Sequence, residues 1–286
     1  MVELCQLFLT TQCSLKCKYC FVSKFTSKHE TMSLENADKI IRFVSSKLPE
    51  GVSIELFGGE PLLAFDVIKK FLELRPNFNY FIPTNCMNLD EEKYEFLKKH
   101  GEFIGLTLSI DGEPETQLAN RGQVPNMDMV KRVLRELPRT IVRMVVEDPS
   151  KLYSDLKFVV SLGTTSVAIG IPYIYKNRDG YKGIFLEQMK KVKEDPALKH
   201  INIRVDATAC ESRCQAGREY ISISPTGDIY PCAIWYLKGM FKIGDIVNGI
   251  DEVKQAEFFK ETDPYMDKEV PCIAQRYFLG DKWING

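Results

Sequence analysis

The chain has 286 residues, 44% hydrophobic and 27% charged, enough for one large core with a small appendage and too apolar for disorder as its main state. Its 38 basic and 39 acidic residues leave a net charge of −1, which gives no electrostatic case for nucleic acid or an anionic membrane as partner. No basic leader with an apolar run opens the chain and no run approaches spanning length, so a cytoplasmic location is expected; nine cysteines there point to metal or redox chemistry rather than disulfides.

The first apolar run, residues 4–9, reads as a strand and leads into Cys13-Ser14-Leu15-Lys16-Cys17-Lys18-Tyr19-Cys20. Three thiols so close in sequence suit a loop wrapped around one inorganic centre. Three ligands leave a position of a four-iron cluster or a zinc ion open, and an open position signals reactivity more than scaffolding. Helical periodicity follows over 34–48, 63–74, 91–100, 127–137, 151–162 and 184–192, alternating with strand-like runs at 52–57, 78–82, 103–110, 140–146 and 166–171. Ser33 is placed as an N-cap, Pro61 as a first-turn proline and Gly101 as a C-cap. Strand-helix alternation on this scale predicts an α/β fold with a parallel sheet. Six units suit an incomplete (β/α)6 TIM-type barrel over residues 1–205, with function at the C-terminal ends of the strands. Residues 200–205 read as one more strand. A hairpin then runs over 219–224 and 229–232 around Pro225-Thr226-Gly227-Asp228, within a small domain, 206–286, that holds Cys210, Cys214, Cys232 and Cys272.

The cysteine spacing, with Tyr19 just before the third thiol and Phe21 just after it, resembles the cluster loop of the radical S-adenosylmethionine (SAM) enzymes. That resemblance implies a [4Fe-4S] cluster held by Cys13, Cys17 and Cys20, with SAM on the free iron and one-electron cleavage of SAM to a 5'-deoxyadenosyl radical. Gly58-Gly59-Glu60-Pro61, by itself a βα turn that caps a helix, then resembles the family's glycine-glycine-glutamate motif, which contacts the SAM amino group. Thr84-Asn85-Cys86 stands where the family often has threonine-asparagine-glycine; Cys86 is read as a buried thiol that replaces the glycine. Ser109-Ile110-Asp111-Gly112, with Asn120-Arg121 in the loop beyond, resembles the serine and arginine that hold the SAM carboxylate in peptide-modifying branches. Tyr19, Phe21, Thr84, Asn85 and Asp111 join the cofactor-binding candidates. Arg143 does too, with a solvated strand residue as the alternative reading.

The stretch from Cys214 to Cys232 resembles the opening of the SPASM and Twitch extensions, in which cysteines flanking a hairpin bind an auxiliary [4Fe-4S] cluster. Cys272 and Cys210 complete the implied ligand set. Cys210 either ligates or leaves an open iron, and a Cys₄ zinc site is the competing reading. Cys5 is read as core; His29, His100 and His200 are scattered and support no histidine-based catalysis. The resemblance implies an enzyme that abstracts hydrogen from a substrate C–H, most simply in a ribosomally made peptide. It also implies a flavodoxin- or ferredoxin-like reductant. Because the chain begins at the first barrel strand, a separate peptide-recognition protein is a further expected partner. Twitch-type oxidation of a small alcohol, sugar or aminocyclitol is the alternative; a non-catalytic iron-sulfur or zinc scaffold is a third reading.

Overall fold

A computed structural model describes residues 2–26, 28–49, 51–74, 78–172, 180–206 and 214–263. Strands β1 (Leu4–Thr10), β2 (Ser53–Gly58), β3 (Asn79–Thr84), β4 (Ile104–Ser109), β5 (Ile141–Val145), β6 (Ser166–Gly170) and β7 (Asn202–Asp206) pair in parallel in sequence order. Helix α1 (Phe21–Phe25) follows the cysteine loop. The crossovers are α2 (Leu34–Lys47), α3 (Phe65–Leu74), α4 (Glu91–Lys99), α5 (Pro114–Arg121), α6 (Met127–Glu136), α7 (Leu152–Ser161) and α8 (Tyr181–Glu194). The Ser33 side chain accepts from Asn36 N at the start of α2, and Pro61 opens a 3-10 turn before α3 with Glu60 as its cap. Along β2, Ile54 and Leu56 are buried while Ser53, Glu55 and Phe57 are half-buried. That period of two means one face packs under the helices and the other is less completely covered. A sheet covered equally on both faces would show a continuous apolar run instead.

The sheet does not close. It continues past β1 through β8 (Tyr220–Ile223), β9 (Asp228–Tyr230), β10 (Gly244–Asp245) and β11 (Gly249–Ile250), giving the order β11-β10-β9-β8-β1-β2-β3-β4-β5-β6-β7. Strand β8 is parallel to β1, pairing Leu4 with Tyr220 through Leu7 with Ile223. The hairpin expected to open a separate domain therefore completes the free edge of the first barrel strand. The buried Gln6 and Ser222 side chains meet across that junction at 3.3 Å. Two short helices, α9 (Ala233–Lys238) and α10 (Glu252–Thr262), follow. Besides the main core, Phe8, Val22, Ala233, Tyr236 and Leu237 form a small apolar cluster that ties β1, α1 and α9 together. Tyr236 donates its hydroxyl to Glu30 at 2.8 Å on the same seam.

One expectation is corrected. Asn120 and Arg121 lie in the last turn of α5, not in a loop. Pro114 starts this helix and Gly122 stops it at φ 83°, both in keeping with their usual positions. The helix escapes a search for apolar period because the face it buries is polar: Thr116, Gln117, Asn120 and Arg121.

Candidate iron-sulfur and SAM site

The cysteine loop sits at the C-terminal end of β1, on the rim to which β2, β3, β4 and β5 also deliver their ends. It is pinned along its length. Thr11 N donates to Glu30 O at 2.9 Å, Lys18 N to Asn120 O at 3.0 Å and Cys20 N to Cys17 O at 3.1 Å. Leu15 is buried beneath it, Cys13 is exposed, and Cys17 and Cys20 are half-buried. Leu15 N and Asn85 Nδ2 both donate to the Cys13 sulfur, at 3.4 and 3.5 Å. Although Cys13 is exposed as a residue, the loop around its sulfur desolvates the thiol and pushes it up to about 11, and the neighbouring Glu60, Cys20 and Cys17 push the same way. Burial also raises the Cys17 thiol, and the Arg121 guanidinium opposes this. Thiols held protonated at Cys13 and Cys17 suit a centre that brings its own positive charge. A single zinc ion would gather sulfurs to about 2.3 Å of one point. Among the described residues no three His, Cys, Asp or Glu side chains are grouped to hold one ion, whereas a cubane asks for a wider spread of sulfurs.

The two glycines of the β2 turn face protein backbone. A Cβ on Gly58 would stand 2.1 Å from Thr10 O, and one on Gly59 2.2 Å from Gln12 O. The gap left by those missing side chains is filled by β1 as it enters the cysteine loop: Gly59 N donates to Thr10 O and Glu60 N to Gln12 O, both at 2.8 Å. Glu60 is 1% exposed. Its Oε1 accepts from Leu62 N at 3.0 Å and the Thr84 hydroxyl at 2.8 Å, and its Oε2 accepts from Asn85 N at 2.8 Å. Burial raises its pKa, against those donors and the more distant Arg121. The carboxylate thus fastens the end of β2 to the end of β3 and sets Asn85 toward Cys13. Cys86 takes the left-handed backbone, φ 66°, that a glycine at this position would adopt freely, with its thiol buried and its pKa raised by burial.

A second knot lies across the rim. Asp111 is 1% exposed and Arg121 7%, and they pair through Nη2 and Oδ1 at 2.8 Å. Asp111 Oδ1 also accepts from Val145 N at 2.9 Å; Oδ2 accepts from Asn120 Nδ2 at 3.3 Å and from the Tyr19 hydroxyl. Gln117, absent from the sequence-derived candidates, accepts from Asp111 N at 2.8 Å and donates to Ser109 O at 3.3 Å. Its one signal in the sequence is a position four residues before Arg121 on the same helix face. The guanidinium stands 5.5 Å from the Tyr19 ring centroid. Burial opposes its charge, yet Asp111, Tyr19 and Cys17 outweigh burial and hold it protonated. Its Nε is buried without a hydrogen-bond partner. An orphaned buried donor beside the thiols is what an anionic ligand at this rim would satisfy.

Phe21 stacks on Phe57 at 6.0 Å between ring centroids. Ser109 ends β4 in register with Arg143 on β5. Arg143 lies on the concave face, within electrostatic reach of Glu55 on β2 and beside Gly170. At the other end of the sheet, level with the start of β1, Cys214 is buried ahead of β8 and Cys232 is the half-buried N-cap of α9. Gly217 N donates to Pro231 O at 3.0 Å, so the two cysteine-bearing segments run side by side. Cys210 and Cys272 lie outside the described residues.

Fold and rim together define a parallel-sheet half-barrel with a cysteine loop at its catalytic end. Residues 7–146 match the radical SAM superfamily, and residues 214–276 match SPASM, an iron-sulfur cluster-binding domain. The chain therefore carries a radical SAM domain followed by a SPASM domain. The cofactors of that pair are a [4Fe-4S] cluster, SAM and auxiliary iron-sulfur centres, and the thiols and orphaned donor described above fit the first two. The chain is 27% identical over 157 residues to the radical SAM cyclopropyl synthase TigE of Paramaledivibacter caminithermalis, 48% of this chain and 32% of that protein. It is 28% identical over 136 residues to a cysteine-type anaerobic sulfatase-maturating enzyme of Clostridium perfringens, 43% of this chain and 36% of that one. The matched regions thus span about a third of these curated relatives. Among solved structures, SuiB of Streptococcus suis bound to its precursor peptide SuiA shares the fold, with a TM-score of 0.69 and 16% identity over 89% of this chain and 65% of that one. Among the described residues no helix is long and apolar enough to cross a membrane.

Proposed function

We propose that this chain is a radical SAM oxidoreductase that modifies a ribosomally synthesised peptide or protein side chain. The observation that carries the reading is the rim itself, where Cys13, Cys17 and Cys20 share one pinned loop, with Asn85 directed at the first and the loop tied to α5 through Lys18 N and Asn120 O. When bound there, the cluster and SAM supply a 5'-deoxyadenosyl radical that removes a hydrogen atom from a substrate C–H. The protein's part is placement. In this reading Tyr19, Phe21, Gly58, Gly59, Glu60, Thr84, Asn85, Ser109, Asp111, Arg121 and Arg143 shape the cofactor's seat. The unpaired Arg121 Nε is suited to the SAM carboxylate, and Glu60 holds the turn whose backbone faces the SAM amino group. The concave wall below, with Gln6, Glu55 and Arg143, offers polar groups to a substrate.

In this reading residues 1–205 form the radical SAM half-barrel and 206–286 the auxiliary domain, the division falling at the last residue of β7. Beyond it Cys214 and Cys232, with Cys210 and Cys272, would hold one auxiliary cluster that takes up the electron left by substrate oxidation. A peptide substrate is supported by the likeness to the sulfatase-maturating enzyme and to the fold of SuiB, which was captured with a precursor peptide. A flavodoxin- or ferredoxin-like reductant and a separate peptide-recognition protein are the partners this reading asks for. The test is anaerobic. Purified protein should carry iron for two four-iron clusters and release 5'-deoxyadenosine from SAM under a strong reductant. Replacing Cys13, Cys17 and Cys20 together by alanine should remove half of the iron and all of the cleavage. Unchanged iron in that triple variant would remove the cysteine loop from the reading.

A further inference from the structure

We propose that Asn85 sets the reduction potential of the cluster on the cysteine loop by donating from its carboxamide to the Cys13 sulfur. The inference rests on the proposed role of Cys13, Cys17 and Cys20 as cluster ligands. Its own observations are hydrogen bonds. Asn85 Nδ2 donates to Cys13 Sγ at 3.5 Å, and Leu15 N donates to the same sulfur at 3.4 Å. Asn85 is 6% exposed, so its donor reaches the sulfur from the protein side. The carboxamide has one orientation. Its Oδ1 accepts from Met87 N at 2.9 Å, a bond that only the oxygen can make, and this turns Nδ2 toward the loop. The Asn85 backbone N donates to Glu60 Oε2 at 2.8 Å, and Glu60 is itself held by Leu62 N and the Thr84 hydroxyl. Nδ2 also has the Ser14 hydroxyl at 3.4 Å, which donates onward to Asn88 Oδ1 at 3.0 Å. Backbone and side chain of Asn85 are thus both fixed with the donor facing the sulfur.

The physics gives a sign. Reduction adds negative charge to the cluster, and an N–H aimed at a ligating sulfur favours that charge, so the donor raises the potential. A carboxylate in its place would lower it. Water admitted by a loosened loop also stabilises the added charge and raises the potential. Loss of the bond and loss of fit therefore move the potential in opposite directions.

The experiment is an EPR-monitored redox titration of the full chain, anaerobic and without SAM. The cluster on the loop is taken as the signal missing from the Cys13, Cys17 and Cys20 triple alanine variant. Asn85→Leu keeps the size of the side chain and removes the donor; it should shift the reduction equilibrium about fivefold toward the oxidised form. Asn85→Asp keeps the shape and puts a carboxylate beside the sulfur. It should shift the equilibrium about tenfold the same way, a fall of about 59 mV for a one-electron couple. Ser14→Ala, which removes only the neighbouring acceptor, should leave the potential at its wild-type value. An unmoved or raised potential in either Asn85 variant overturns the proposal, and so does a fall in Ser14→Ala as large as that in Asn85→Leu. Should one Asn85 variant assemble no cluster, the other decides alone; if neither assembles one, Asn85 serves assembly and the proposal is overturned. If the triple variant loses no signal, the loop is not the ligand set and this inference falls with that reading.

Discussion

The rim is held by two buried carboxylates that solve the same problem differently. On the β2–β3 side, Glu60 has no ion-pair partner among the described residues; two backbone N–H groups and a hydroxyl surround it. On the β4–β5 side, Asp111 is met by a guanidinium, a phenol, a carboxamide and one backbone N–H. The first is a splice between neighbouring strands, made of short local pieces. The second joins four separate segments: the cysteine loop, the turn after β4, the end of α5 and β5. A buried ion is tolerated when its partner is present and costly when that partner is taken away. The two knots should therefore fail by different amounts.

The largest expected effect is at the second knot. Asp111→Ala leaves the Arg121 charge buried with its ion-pair partner gone, and should cost about 3–5 kcal/mol in chemical denaturation. A loss under about 1 kcal/mol would mean that the guanidinium finds water or another anion, and that the knot does not hold the rim. Gly59→Ala tests the seam between β1 and β2. A methyl 2.2 Å from the Gln12 carbonyl forces backbone to move, so a loss of about 3 kcal/mol is expected. A variant as stable as wild type would show that the turn has room to slide.

At the first knot the effect should depend on pH. The Glu60 pKa is raised above its ordinary 4.5, chiefly by burial. The folded protein therefore takes the proton more readily than the unfolded chain does. The stability tied to protonation is complete below the ordinary value and is lost as pH rises through the folded one. Glu60→Gln does not titrate there, so wild-type stability measured relative to this variant should improve as pH falls toward 4.5. The opposite trend would show that the three donors stabilise the anion by more than burial opposes it. The smallest effect belongs to Cys86→Gly. Glycine would relieve the left-handed backbone at φ 66°, a gain of roughly 1–2 kcal/mol. It would also surrender a buried thiol and gain chain entropy in the unfolded state, together a loss of similar size. A thermal midpoint close to wild type is expected, and a large drop would mean that the thiol packs more tightly than its size suggests.

The sequence by itself determined whatever is written in local spacing. Three cysteines in eight residues mark the loop. Alternation of period two and period 3.6 marks the parallel half-barrel, and Ser33 and Pro61 mark where helices start. Such signals survive because ligation by one loop, the pleat of a strand and the capping of a helix all act over a few residues. Tertiary structure decided the rest. Helix α5 hid because its buried face is polar, and polar residues are buried only where partners arrive from elsewhere, here Ser109 and Asp111. Gly58 and Gly59 read as a βα turn, and only the fold shows that their missing side chains make way for the backbone of Thr10 and Gln12, some fifty residues earlier. The hairpin at 220–230 was legible as a hairpin, but nothing within it specifies β1 as the partner for β8. That pairing requires the free edge of a strand more than two hundred residues away, and only the folded chain brings the two edges together.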